Sequence, residues 1–215
     1  MSDPIILAVD TCFGACSAAV VAGERVLAHR AEAMERGHAE ALAPMVETAM
    51  RDAGLSFAGL DRLAVTTGPG SFTGQRVGLA FMRGLRIALG KPLVGVTSLA
   101  AMAERARLES GSAVAAAVHD ARRGEVYLEA VGITTIPAQV LSFEHAAILL
   151  RQIPDLVLTG TAAVRLAHEI GMTRIVEANA PDAVWVARLA MEVEPSVTPR
   201  PLYLRAPDAK LPAAR

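Results

Sequence analysis

The sequence predicts an α/β protein made of two similar lobes facing a cleft, and three observations carry that expectation. Short apolar runs alternate with stretches of helical periodicity. Two of those runs, at 5–9 and 113–119, are each followed by an aspartate, Asp10 and Asp120. The elements after each aspartate recur in the same order, the outline of an internal duplication. With 215 residues and 53% hydrophobic side chains, the chain can bury a core in both halves.

Residues 5–10 are apolar and end in an acid, the pattern of a buried strand that delivers Asp10 to the sheet edge. Residues 16–21 and 25–33 continue as strands around Ala22-Gly23-Glu24, giving a three-stranded meander. Between 38 and 53, Leu42, Met45, Val46, Ala49 and Met50 fall at helical spacing, with Pro44 in a first turn or at a kink. A strand at 63–67, a glycine-rich loop at 68–74, a helix at 75–89, a strand at 93–96 and a helix from Ser98 complete the order βββαβαβα. The second half gives strands at 113–119 and 125–131, a third near 139–141, a helix at 144–151 and a strand at 156–159. Helices near 161–170 and 182–191 follow. Glu109-Ser110-Gly111-Ser112 marks the boundary between an N-terminal lobe at 1–109 and a shortened C-terminal lobe at 110–215.

Composition narrows the function classes. No apolar run approaches the ~18 residues needed to span a bilayer, and Met1-Ser2-Asp3-Pro4 lacks the basic and apolar segments of a signal peptide. The expected location is the cytoplasm, with no membrane partner. Cys12 and Cys16 sit in an apolar segment and read as packed thiols. The 21 basic and 22 acidic residues divide evenly, with 11 of each in 1–109 and 10 and 11 in 110–215. Arg76, Arg83 and Arg86 on one helix form the nearest thing to a basic patch, so tRNA or other nucleic acid is expected to be touched only indirectly.

The strongest local motif is Thr67-Gly68-Pro69-Gly70-Ser71-Phe72-Thr73-Gly74 between a strand and a helix. Its glycines allow close backbone approach, and Ser71, Thr73 and the amides at the helix start suit either an anion or tight packing, with packing favoured. It matches neither a phosphate loop ending in Gly-Lys-Ser/Thr nor a dinucleotide fingerprint. Asp10-Thr11 and Asp120 end strands where α/β folds present polar groups to ligands, although a turn role suits each aspartate equally. His29, His38, His119, His145 and His168 include no helical pair suited to zinc, so no metal is expected. No nucleophile elbow is present, and no catalytic residue is assigned.

The letters resemble the TsaB (YeaZ) family along nearly the whole chain. The resemblance rests on Leu7-Ala8-Val9-Asp10-Thr11, residues 15–20, His38 with Leu42 and Pro44, and residues 68–74 followed by Arg76 and Gly78. Val96-Thr97-Ser98-Leu99, Asp120-Ala121-Arg122, Glu125-Val126-Tyr127 and Pro201-Leu202-Tyr203-Leu204-Arg205 continue it in order. It implies the actin-like, Hsp70-like and sugar-kinase-like (ASKHA) fold, with two βββαβα lobes. It also implies a non-catalytic dimerisation and activating subunit of the tRNA threonylcarbamoyladenosine transferase complex, which modifies adenosine 37. The expected partners are a TsaD-like catalytic subunit, a TsaE-like ATPase and, in isolation, a second copy of the chain.

Under the resemblance, the chain holds no cofactor by itself. An adenine nucleotide at the partner junction would meet Asp10, Thr11, Gly70, Ser71 and Thr73. Joined to helix spacing, the resemblance places an interface of about 1,600 Å² or more on His38, Leu42, Met45, Val46, Gly74, Arg76, Gly78, Phe81 and Met82. Charge at Gly78 or Val46 is expected to break pairing and leave the monomer folded. The competing readings are a self-sufficient small ATPase or kinase using Asp10 and Asp120, and a peptidase.

Overall fold

The computed structural model describes residues 3–195 and 198–205. Its first half runs β1 (Ile5–Asp10), β2 (Ala15–Ala22), β3 (Arg25–Ala33), α1 (His38–Asp52), β4 (Arg62–Thr66), α2 (Phe72–Leu89), β5 (Leu93–Val96) and α3 (Ser98–Ser110). The second half repeats the order with β6 (Val114–Asp120), β7 (Glu125–Gly132), β8 (Ile136–Ser142), α4 (Phe143–Leu150), β9 (Leu156–Thr159), α5 (Ala163–Ile170) and α6 (Ala183–Glu192). Sheet order is β3-β2-β1-β4-β5 in one lobe and β8-β7-β6-β9 in the other. In each, the meander is antiparallel and the inner strand pairs in parallel with the strand after the first helix. A single parallel bridge from Leu158 to Ile175 stands where β5 stands in the first lobe, so the second lobe is the shorter one.

Alternation along β1 and β6 explains how helices cover both faces. Leu7 and Val9 point to the core under α1 and α2, while Ile6 and Ala8 point to α6. In β6, Val114, Ala116 and Val118 face α4 and α5, and Ala115 and Ala117 face α3. A strand buried on both faces reads as a continuous apolar run, which is why periodicity shows it only by length. The last helix of each half crosses over: α3 packs on the second sheet and α6 on the first, and the two helices touch. The layers are therefore α1 and α2, first sheet, α6 and α3, second sheet, α4 and α5. Alanines on both inner faces let these two helices approach closely.

Local starts and stops follow side-chain chemistry. Helix α2 begins three residues before the expected Gln75, because Ser71 caps it by accepting the Gly74 amide at 3.0 Å. Thr97, Ser142 and Asp182 cap α3, α4 and α6 in the same way. Strand β8 is longer than the expected 139–141, extended by its pairing with β7. Cys12 and Cys16 are buried free thiols, and burial pushes Cys16 up to about 11.

Candidate functional site

The site is assembled where the C-terminal ends of β1 and β4 meet the start of α2. Asp10 is fully buried at the end of β1. Its Oδ1 accepts the Thr66 hydroxyl at 2.6 Å and the Cys12 amide at 3.1 Å, while Oδ2 has no partner among the described residues. Burial raises the carboxyl to about 7, partly opposed by those hydrogen bonds and assisted by the nearby Asp182 charge. Burial likewise holds the Cys12 thiol well above its ordinary range.

Thr11, the next residue, locks β1 to α2. Its hydroxyl donates to the Gly74 carbonyl at 2.7 Å and accepts the Gly78 amide at 3.1 Å. In a regular helix those two backbone groups are partners, so the hydroxyl bridges one turn of α2. Room for it comes from glycine: a Cβ on Gly78 would lie 2.6 Å from the Thr11 oxygen, and one on Gly74 would strike the Thr11 carbonyl. A Cβ on Gly70 would strike the Cys12 carbonyl, which accepts the Ser71 amide at 2.6 Å. Ser98 ties the loop from the other side, donating to the Pro69 carbonyl at 2.5 Å. The glycine loop is a packing knot in which Ser71, the Gly74 amide and the Pro69 and Gly70 carbonyls bond within the chain.

The two lobes are joined across this knot. Phe13, in the β1–β2 turn, stacks on His119 of β6 with centroids 3.9 Å apart. Burial lowers His119 to about 4, so its ring is neutral and suited to stacking. Thr97 donates to the Glu129 carboxylate at 2.5 Å. The segment 198–205 then straps both lobes: Leu202 donates its amide to the Thr67 carbonyl at 2.8 Å, and Arg83 donates to the Pro199 carbonyl. Arg76 reaches the Tyr203 hydroxyl at 3.0 Å and covers the Phe72 ring at 3.6 Å. At the far end Arg205 donates to the Ala121 carbonyl at 2.8 Å and pairs with Glu125 in the second lobe. Arg205→Ala should cost about 1–2 kcal/mol and speed hydrogen exchange at 120–126, since both second-lobe contacts of this end are lost. Unchanged exchange there would show that the strap is not a tie.

The sequence-derived residues divide on this geometry. Of the nucleotide set, Thr11, Gly70 and Ser71 are engaged within the chain, leaving Asp10 Oδ2 and the exposed Thr73 facing no partner in the hydrogen bonds described. Of the interface set, Leu42, Val46 and Met82 are core, His38 is buried, and Gly74 and Gly78 face Thr11. The expectation that charge at Gly78 or Val46 leaves the monomer folded is therefore corrected, because both positions hold the first lobe together. Arg76 is exposed, and Met45 and Phe81 are half-buried, packed against the first-lobe core with part of their surface open. Asp10 and Asp120 differ in setting, one buried and one exposed.

Sequence reading missed the roles of Phe13, His119, Glu129 and the 201–205 strap. Phe13 gave a signal, a large aromatic in a turn otherwise made of small and polar residues. Among the described residues no group of three His, Cys, Asp or Glu side chains could hold a metal ion, and no helix is long and apolar enough to cross a membrane.

Comparison with known proteins agrees with this architecture. A family model described as TsaD, tRNA N6-adenosine threonylcarbamoyltransferase, matches residues 25–136. The Escherichia coli K12 protein TsaB, a tRNA threonylcarbamoyladenosine biosynthesis protein, is 40% identical over 122 residues, 57% of this chain and 52% of the relative. The matched stretch is thus about half the length of that relative. The solved structure of YeaZ from Pseudomonas aeruginosa superposes with a TM-score of 0.78 at 28% identity, covering 94% of this chain and all of that one. A ROK hexokinase from Thermus thermophilus, at 15% identity, covers 87% of this chain and 98% of its own with a TM-score of 0.52, which identifies the shared fold as the duplicated ASKHA type. On these grounds the chain belongs to the family of the tRNA N6-adenosine threonylcarbamoyltransferase TsaD, in its TsaB (YeaZ) branch.

Proposed function

We propose that the chain is a non-catalytic dimerisation and activating subunit of a tRNA threonylcarbamoyladenosine transferase complex. It pairs with a TsaD-like catalytic subunit, works in the cytoplasm beside a TsaE-like ATPase, and forms a homodimer when alone. The observation that carries the reading is the lobe junction: Phe13 and His119 occupy it with the chain's own rings, and the Ser71 and Gly74 amides and the Ser71 hydroxyl of the glycine loop are engaged within the chain. Such a junction suits a rigid platform better than a site that must open and close around substrate. The platform's outer face is α1 and α2, with Met45, Arg76 and Phe81 as the contact residues. An adenine nucleotide at the partner junction would meet the exposed Thr73 at the start of α2, with Asp10 buried behind the loop.

One observation favours a second reading, a small ATPase or kinase: the unpartnered, buried oxygen of Asp10. Two measurements separate them. The purified chain should hydrolyse neither ATP nor protein above background, whereas turnover abolished by Asp10→Ala would establish the enzyme reading. Met45→Glu with Phe81→Glu should weaken pairing with the catalytic partner by about 100-fold or more, because two charges are desolvated at a contact, when measured at a temperature where the variant, which loses the core contacts of both side chains, is still folded. Undiminished pairing would move the interface elsewhere.

A further inference from the structure

We draw no further inference here: the strongest candidate, the exposed surface patch where α2 meets the 198–205 strap and Arg76 grips the stacked rings of Phe72 and Tyr203, carries nothing because no feature of the structure shows what covers it.

Discussion

Asp10→Asn is expected to stabilise the chain at pH 8 by on the order of 3 kcal/mol, and to lose that advantage as pH falls to 4. In the folded chain this carboxyl sits near 7 instead of its ordinary 3.8. Between those values the unfolded chain releases the proton and the folded chain keeps it. Stability contributed by this group is complete below pH 4 and declines as pH rises through 7. A difference of about three units corresponds to about 4 kcal/mol, from which about 1 is subtracted because the new amide nitrogen lies where Oδ2 had no partner. His119 acts with the opposite sign. Lowered to about 4, it stays neutral when folded, so its contribution is complete above pH 6.5 and is lost as pH falls towards 4. The two slopes oppose each other in the wild type, and the asparagine variant should leave the His119 slope opposed only by His29, raised by its bond to Asp182, and by Glu129, raised by burial. Urea unfolding at pH 4.5, 6 and 8 measures this. A variant destabilised equally at all three values would show that the Asp10 charge is compensated in the fold.

Gly74→Ala should destabilise by about 3 kcal/mol or more, enough to leave a marginal domain largely unfolded. The added carbon collides with the Thr11 carbonyl and with the Ser71 cap, backbone on one side and a helix start on the other, neither of which moves without breaking the knot. Gly84→Ala is the control on the same helix. Nothing lies within 4 Å of its Cβ, so alanine there should be neutral or stabilise by about 0.5–1 kcal/mol through helix propensity. Thermal melts of the two proteins give the comparison. Equal melting temperatures would mean that the glycines of α2 serve no packing purpose within the chain. Charge at Val46 or Gly78 belongs with Gly74→Ala, as a folding defect that precedes any effect on pairing.

The duplication was legible because strand ends carry aspartates and because the elements after each recur in the same order, whereas the Ser71 cap, and with it the first turn of α2, was not. The exchange of α3 and α6 between sheets was not, since the apolar spacing of a helix tells which face is buried and never against which sheet. The interface set failed in part for the same reason. Gly74 and Gly78 are small on one side of α2, and a sequence cannot say whether small residues admit a partner helix or a threonine hydroxyl from the preceding strand. Asp10 was legible as a strand-end acid, but its burial and orphaned oxygen depend on Thr66 and Cys12 meeting it across 56 and 2 residues. The strap escaped because 201–205 carries no periodicity, only single contacts with chain more than 80 residues away or nearly so.

The most direct test of the subunit account is reconstitution of threonylcarbamoyladenosine in tRNA from purified components, with and without this chain. The account predicts that the TsaD-like subunit alone modifies little tRNA, that adding the chain raises the rate by about tenfold or more, and that Asp10→Asn chain does so as well as wild type. Modification that proceeds equally without the chain, or that requires the Asp10 carboxylate, would contradict it.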